Sequence, residues 1–527
     1  MLDADVAIPP SSCIKDYLAS GAIVRVLQCW FLKTGQIEAV YLHYEHAPNK
    51  VRAFTNFLRR KFSGKLELGS DAAADPHDKK IARGSAQRPT NEMKRSAIAL
   101  NETRQLLNRP KADERDINMP HDESGKHWHE PKAGENAGLG KFARPAMPYD
   151  RFMDAEGIPC HRGIGVRTVL DLPMAPWKRL GGRGAYIQLY GTEGLWGMYV
   201  VEVPAGGALE IERHFYEKVV LVIEGRGSTE VWQESQTKKA TFEWQKGSMF
   251  SIPLNAYHRF VNATNSPAIL LCGTTAPNMM NLVDNPHFIF NCPYNFSDRY
   301  AGNEDYFKPN DDIEPDPVRG LAMKRTNLVH DVITAELPLD NRRSPGYRRI
   351  EPHMAGNRFY LWIGQHETGR YSKAHAHASA AILICLKGKG YTYTWPAGLG
   401  TTPWKDGRAE QVMRQDYEYG GMVSAAPMSG DWFHQHFGVS RDPLRLSAWF
   451  GANNSTSRKP GRPGEAITDR GAIDIKKGGG AIPYHEEDPH LRQEFEATLA
   501  RDGAVSRMEQ RFYEGPLAAG EDFKDPF

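Results

Sequence analysis

Two histidines one residue apart, His375 and His377, begin the part of the sequence best suited to chemistry. Side chains alternate across a β-strand, so both imidazoles lie on one face if this segment is a strand. A third imidazole can come from His434, farther along the chain, with His436 as the alternative. Three neutral imidazoles that converge form a site for a divalent transition metal. We therefore predict a metal site made of His375, His377 and His434.

The residues after this pair predict the elements that position it. Residues 381–386 form an apolar run of strand length, and the Gly-Lys-Gly sequence of residues 388–390 is typical of a turn. The next strand can then fold back beside the histidines. Tyr391 and Tyr393 share a face of that strand, and Arg370 could hold a carboxylate, so we predict that these three residues contact a substrate.

A related pattern occurs earlier in the chain. Gly247, Pro253, His258 and Asn262 match the spacing G-x5-P-x4-H-x3-N, which resembles the second motif of the cupin superfamily. Residues 206–225 are similar to the first cupin motif, G-x5-H-x-H-x3,4-E-x6-G. The sequence therefore resembles a cupin in this region.

The resemblance covers roughly residues 160–275 and 355–450, so it implies a bicupin. The implied fold class is all-β, with two tandem jelly-roll barrels (double-stranded β-helices), a polar N-terminal extension and a short helical C-terminal tail. Short apolar runs separated by Gly and Pro, which begin near Arg162, independently favour such barrels.

Length and composition favour several domains, because 527 residues exceed what one hydrophobic core usually holds. Residues 52–116 are polar, poor in aromatics and aperiodic, which is typical of a disordered segment; alternatively, the natural chain starts at Met119. Residues 278–317 predict a long connection, and the Asp488-Pro489 pair predicts the start of a helix. The predicted regions are an N-terminal extension (1–118), the first cupin domain with its connection (119–310), the second cupin domain (311–457) and a C-terminal loop and helix tail (458–527).

Charge and cysteine content exclude several classes of protein. The 66 Lys and Arg nearly balance the 64 Asp and Glu, so composition does not favour binding to nucleic acid or to a membrane surface. The six cysteines form no C-x-x-C pair, which argues against a disulfide framework. The acidic first residues do not resemble a secretory signal. We predict a cytoplasmic homo-oligomer that takes a small-molecule substrate.

The second motif pair lacks the usual carboxylate, because Ala381 stands at the glutamate position. Residues 375–381 resemble the first motif of gentisate-type ring-cleaving dioxygenases, which are cupins that bind iron through histidines alone. In that family the third histidine begins an H-x-H-G-N segment, and residues 434–438 are similar to it. This match favours His434 over His436, although His434 lies farther from Pro427 than the family pattern has it.

The first motif pair differs in another way. Glu212 replaces the first histidine, whereas His214 and His258 remain, so these three residues form a second and weaker candidate metal site. Lys218 stands at the glutamate position at the shorter spacing, with Glu217 beside it. An inward-facing lysine would repel a divalent cation, and an inward-facing glutamate would not. We expect this first site to be vestigial or structural.

The resemblance implies a metal-dependent oxidoreductase, namely a non-haem Fe(II) dioxygenase that acts on a small hydroxylated aromatic or carboxylic acid. Three histidines leave up to three positions on an octahedral metal for substrate and dioxygen. One alternative is a Mn(II)-dependent bicupin decarboxylase or isomerase of the oxalate-decarboxylase type, which typically has three histidines and one glutamate in each barrel. Another is a binding or storage protein like the seed-storage bicupins. Imidazole suits several divalent metals, so the metal stays open.

Overall fold

The computed structural model describes only part of the chain, which divides into two compact units, residues 1–131 and 132–527. In the first unit, β1 (Phe31–Leu32) pairs with β2 (Gly35–Gln36). The rest of the predicted N-terminal extension lies outside the described residues, so its disorder stays a prediction. The described residues are 31–32, 35–36, 146–234, 238–316, 321–340, 344–377, 381–428, 430–452, 471 and 473–516.

The first barrel is built from an eight-stranded and a four-stranded sheet with an apolar core that both line. Its strands are β3 (Cys160–Gly163), β5 (Ala175–Trp177), β6 (Gly182–Leu189), β7 (Gly197–Val203), β8 (Gly207–Ala208), β9 (Lys218–Glu224), β10 (Arg226–Trp232), β11 (Ala240–Gln245), β12 (Met249–Ile252), β13 (Tyr257–Asn262), β14 (Ala268–Thr274) and β17 (Leu328–Val329). The long sheet has the order β17-β12-β9-β14-β7-β6-β3, with β5 also paired to β6, and the short sheet has the order β11-β10-β13-β8.

The second barrel has the same construction. Its strands are β4 (Gly165–Val166), β15 (Glu314–Pro315), β16 (Ala322–Arg325), β18 (Arg348–His353), β19 (Tyr360–Gln365), β20 (His375–His377), β21 (Ile382–Lys387), β22 (Gly390–Pro396), β23 (Met413–Tyr417), β24 (Met422–Ser424), β25 (Trp432–Gly438) and β26 (Arg445–Gly451). The long sheet has the order β15-β16-β18-β19-β26-β21-β24-β4, and the short sheet has the order β20-β25-β22-β23.

The two barrels are an internal repeat whose long sheets match strand for strand. The order β17-β12-β9-β14-β7-β6 corresponds to β4-β24-β21-β26-β19-β18. One edge strand of each barrel comes from the sequence region of the other barrel. Strand β4 precedes the strands of the first barrel in sequence and pairs with β24 of the second. Strand β17 follows the first barrel in sequence and pairs with β12 of the first. The predicted boundary at residues 310–311 therefore does not separate the two barrels cleanly. The all-β class with two jelly-roll barrels is confirmed.

The two long sheets pack against each other through one apolar cluster, which includes Leu221 and Leu271 of the first barrel and Ile384 and Trp449 of the second. Strand β9 is buried on both faces along most of its length, because one face lines the barrel and the other faces this cluster. A Cβ at Gly273 would lie only 2.7 Å from the Trp449 ring, so close packing of the sheets requires glycine there.

The described residues include four α-helices outside the barrel strands. The predicted long connection over residues 278–317 is only partly correct, since two helices occupy its start: a proline opens α3, and the Asn285 side chain caps it. The predicted C-terminal helix is confirmed, with Asp488 as its cap. The helices are α1 (Pro148–Glu156), α2 (Ala276–Val283), α3 (Pro286–Asn291) and α4 (Pro489–Arg501). Short 3-10 turns lie at Val169–Asp171, Ala397–Leu399, Ala409–Gln411, Ile475–Lys477, Tyr484–Glu486 and Gln510–Tyr513.

Helix α4 covers the outer face of the second barrel's short sheet. Its buried residues Leu491, Phe495 and Leu499 share an apolar cluster with Phe437 of β25. This cluster encloses the side of the sheet that faces away from the barrel interior. Among the described residues, no helix has the length and apolar character needed to cross a membrane.

Candidate metal centre

Three imidazoles meet inside the second barrel, on the short sheet. Strands β20 and β25 pair antiparallel with His375 opposite His434, and Ala376 between the two β20 histidines turns to the outer apolar cluster. One ring nitrogen from each of His375, His377 and His434 lies within 4.8 Å of the others. The structure thus brings together the three residues that the sequence analysis predicts as metal ligands.

The spacing of these nitrogens suits a shared ion. The Nε2 atoms of His375 and His434 are 3.1 Å apart. Two nitrogens bound at about 2.1 Å to one ion at a right angle would be about 3 Å apart. A hydrogen bond between the two rings would use the same distance, but it would not require His377, whose ring centre is 4.5 Å from that of His434. The donor set therefore fits a divalent transition metal.

Burial of the three rings is unequal. His375 and His434 are buried, whereas His377 is partly exposed at the end of its short strand. A ligand set that is closed on one side and open on the other leaves room for a substrate to approach. Among the described residues, His377 is therefore the ligand candidate that solvent reaches.

The position of the missing glutamate is apolar. Ala381 belongs to the interior cluster of the second barrel together with Leu383 and Val423, and its carbonyl accepts a hydrogen bond from the Ala425 N–H at 2.9 Å. Within the part of the chain that the structure describes, the cluster holds three imidazoles and no carboxylate.

His436, the alternative third ligand, lies beside this cluster and outside it. Its Nδ1 is 2.7 Å from the Thr392 hydroxyl, which is in turn 3.1 Å from the hydroxyl of Tyr417. The His436 ring centre is 5.4 Å from that of His434. The structure thus places His434 in the three-imidazole group and gives His436 a hydrogen-bonding role next to it.

The predicted substrate contacts Tyr391 and Tyr393 lie on the wrong face of their strand. Tyr391 is opposite Phe437 and stacks on its ring at 4.9 Å, and the Arg414 guanidinium lies 4.0 Å from the centre of the Tyr391 ring. Both tyrosines belong to the cluster under α4. They share one face, as predicted, but this is the outer face, because β22 turns Thr392 toward the histidines. The structure therefore does not bring the two tyrosines to the metal centre.

Arg370 is buried, with its Nε 3.3 Å from the Glu367 carboxylate. Its Nη1 has no hydrogen-bond partner among the described residues. A buried guanidinium group with an unused N–H can donate a hydrogen bond to a substrate carboxylate. Contact with a substrate stays a prediction for this residue.

The first barrel contains the second predicted cluster. Glu212 and His258 exchange backbone hydrogen bonds of 3.0 and 2.9 Å, and one ligand atom from each of Glu212, His214 and His258 lies within 4.8 Å of the others. All three residues are buried. The predicted residues therefore do meet, but in a closed environment.

Lys218 enters this cluster, and Glu217 does not. The Lys218 Nζ lies 2.6 Å from Glu212 Oε2 and 3.0 Å from His258 Nε2, and the side chain is completely buried. Glu217 instead accepts the backbone N–H groups of Arg358 and Phe359. Neighbouring residues of a strand point to opposite faces, so only one of the two could face the interior.

The charges of the first cluster compensate one another. Burial alone would raise the pKa of Glu212, but the positive charges of Lys218 and Arg179 outweigh it and hold the pKa well below its usual range. Burial and the Lys218 charge lower the pKa of His214 and His258. Arg179 adds a second ion pair to Glu212, at 2.9 Å. The site therefore holds an ionised carboxylate, neutral imidazoles and an internal cation.

A buried carboxyl group behind the second cluster has no counterpart in the sequence predictions. Gln435, between His434 and His436, points to the outer face, where its amide donates to Glu487 Oε2 at 3.1 Å. The Tyr371 hydroxyl donates to the same carboxyl group. Burial raises the pKa of Glu487 to about 8. The sequence offered one sign of this buried carboxyl group, namely the polar residue Gln435 at an outward-facing position of the buried strand β25.

Comparison with known proteins finds a cupin domain within the first barrel. Residues 199–274 match a family model described as the cupin domain. A mutant of Bacillus subtilis oxalate decarboxylase is 12% identical over 54% of this chain and 76% of that chain, with a TM-score of 0.35. Vicilin from tomato (Solanum lycopersicum) is 11% identical over 52% of this chain and 81% of that chain, with a TM-score of 0.32. No curated protein matches the sequence.

These findings concern fold and not activity. The first barrel carries the matched cupin domain, and the second repeats its strand order, so the architecture is two tandem jelly-roll barrels. Identities near 12% do not transfer a reaction from one protein to another. The resemblance of the second motif pair to gentisate-type dioxygenases stays a prediction.

Proposed function

We propose that the protein is a metal-dependent cupin oxidoreductase, specifically a non-haem Fe(II) dioxygenase that acts on a small hydroxylated aromatic or carboxylic acid. The observation that carries this proposal is the group of three imidazoles, His375, His377 and His434, inside the second barrel. Fe(II) held there would supply redox chemistry toward dioxygen and Lewis acidity toward the substrate.

The side chains around the cluster give the rest of the site its properties. His377 lies at the partly exposed end, so a substrate enters from that side. Apolar side chains of the interior cluster, including Ala381 and Leu383, lie on the opposite side. Hydrogen bonding to Thr392 fixes the orientation of the His436 ring beside the ligands. Arg370, with its unused Nη1 donor, is the proposed partner for a substrate carboxylate.

The ligand set favours the dioxygenase over its closest enzyme rival. A decarboxylase of the oxalate-decarboxylase type would be expected to hold Mn(II) with three histidines and a glutamate. Ala381 occupies the glutamate position here, and the described cluster has no carboxylate. Three imidazoles without a carboxylate match the iron site that the sequence resemblance implies.

The proposal is tested by the metal that supports activity and by whether O₂ is consumed or CO₂ is released. Protein purified without oxygen would be loaded with Fe(II) or Mn(II) and supplied with a panel of phenolic and carboxylic acids, while dissolved oxygen and released CO₂ are measured. We expect activity with Fe(II), with one O₂ consumed per substrate, and none in the His377→Ala variant. Turnover with Mn(II), release of CO₂ and no net oxygen uptake would instead establish the decarboxylase. A folded chain that binds neither metal would leave the binding or storage function.

A further inference from the structure

The two clusters differ at one equivalent position on their long sheets. Lys218 lies opposite Ile252 in the β9–β12 pair, and Ala381 lies opposite Ala425 where β21 meets β24. These strand pairs correspond in the two barrels. A lysine thus stands in the first barrel where the second has only a methyl group.

Both histidines of the first cluster have the protonation pattern of metal ligands. His214 Nδ1 lies 2.9 Å from the Tyr216 carbonyl and His258 Nδ1 lies 3.3 Å from the Ala256 carbonyl. A carbonyl only accepts hydrogen bonds, so Nδ1 carries the proton in both rings and Nε2 keeps its lone pair. This is the arrangement of metal-bound histidines, whose second nitrogen donates to a carbonyl or carboxylate.

The lone pairs have different partners. The His258 Nε2 accepts from the Lys218 Nζ. The His214 Nε2 is buried and has no hydrogen-bond partner among the described residues. A buried acceptor without a partner is costly, and a cation between the three side chains would engage it. The first cluster is therefore a complete set of metal ligands into which a lysine projects.

We propose that Lys218 is a built-in substitute for a metal ion in the first barrel. Its ammonium group takes the cation position between Glu212 and His258 and excludes divalent ions, and removal of the lysine side chain leaves a site for one divalent transition metal on Glu212, His214 and His258. With Arg179, the lysine also balances the buried charge of Glu212. The first barrel consequently keeps its structure without a supply of metal.

The test counts metal in the first barrel alone. The second site is removed by the double change His375→Ala and His377→Ala, and Lys218→Ala is added to that background, which makes position 218 resemble position 381. Metal-free protein is titrated with Co(II), followed by elemental analysis of the desalted chain, visible absorption and thermal melting. We expect no tightly bound Co(II) in the background, and one Co(II) per chain, tighter by roughly 1000-fold, after Lys218→Ala.

Controls separate ligand binding from nonspecific uptake. Adding His258→Ala to the Lys218→Ala chain should abolish the Co(II) absorption bands and the Co(II)-dependent rise in melting temperature. Lys218→Met, which keeps the bulk of the side chain without its charge, should fold without metal and bind Co(II) more tightly than the background chain but less tightly than the Lys218→Ala chain. These measurements do not depend on the dioxygenase proposal, because the second site is absent from every chain compared.

Two results would overturn the inference. The first is tight Co(II) binding in the background chain that His214→Ala removes, since a site filled by Lys218 cannot also hold the ion. The second is a Lys218→Ala chain that is folded by circular dichroism and gains no Co(II). If that chain fails to fold without metal, Co(II) should restore its folding. Failure of Co(II) to do so would also count against the proposal.

Discussion

The two barrels carry the same strand order, yet their clusters differ in electrostatics, because the first combines Glu212 and Lys218 with two imidazoles and the second combines three imidazoles. Lys218 projects among Glu212, His214 and His258, whereas the equivalent position of the second barrel is Ala381, which carries no charge. A barrel that holds its own cation needs no ion from solution. The comparison shows that the metal dependence of such a site can be decided by the residue opposite the ligands as much as by the ligands.

Access to the two clusters differs as well. Every ligand candidate of the first barrel is buried, whereas His377 of the second is partly exposed. Among the described residues, the second cluster is therefore the more accessible of the two. The following predictions test this contrast, beginning with the largest expected effect.

Removal of one imidazole from each barrel should have opposite outcomes. His377→Ala should abolish most metal binding and lower activity by at least about 100-fold, because two imidazoles hold an ion poorly. His214→Ala should leave both metal content and activity near those of the natural sequence. Elemental analysis and the oxygen-uptake assay measure the two quantities. Equal losses from both changes would show that the first barrel is catalytic.

A lysine at position 381 should weaken metal binding in the second barrel, as we propose that Lys218 does in the first. Ala381→Lys brings an ammonium group toward His375 and His434, and its repulsion should weaken Fe(II) or Co(II) binding by roughly 100-fold or more. Ala381→Met is the matched control, because it adds similar bulk without charge. Metal titration of both variants separates the two effects. If methionine weakens binding as much as lysine does, steric exclusion is the cause, and the contrast loses its electrostatic basis.

Loss of the carboxylate should destabilise the first barrel. Glu212→Gln leaves the buried Lys218 without its partner, which should lower the free energy of unfolding by about 3 kcal/mol. The double variant with Lys218→Met should recover part of that loss, since no unpaired charge remains buried. Denaturant unfolding of the natural chain, the single variant and the double variant measures both changes. A single variant as stable as the natural chain would contradict an ion-paired role for Lys218.

The last prediction concerns Glu487, behind the second cluster. Its pKa is raised from the usual 4.5 to about 8 in the folded protein, so between these values the folded chain keeps a proton that the unfolded chain releases. The contribution of this carboxyl group to stability is therefore fully present below about pH 4.5 and is lost as pH rises through about 8. Glu487→Gln cannot ionise, so its melting temperature should fall less between pH 5 and pH 8. Parallel pH profiles in both proteins would refute the raised pKa.

Local sequence patterns predicted the barrel fold, two ligands of the second cluster and the start of helix α4. The motif around Gly247, Pro253 and His258 predicted a cupin barrel, and the histidine pair at positions 375 and 377 predicted two imidazoles on one strand face. The Asp488-Pro489 pair predicted where α4 begins. Each pattern depends on spacing within one element, where the strand period or the helix cap determines which side chains lie together.

Other features were decided only by the tertiary structure. The period of two placed Tyr391 and Tyr393 on one face, and Lys218 and Glu217 on opposite faces, but it did not tell which face lines a barrel. The edge strands β4 and β17 pair across the two halves of the chain, and Glu487 reaches Gln435 through folding of the C-terminal tail. A sequence determines side-chain alternation locally, whereas the inward face and the partners of a strand depend on contacts between distant segments.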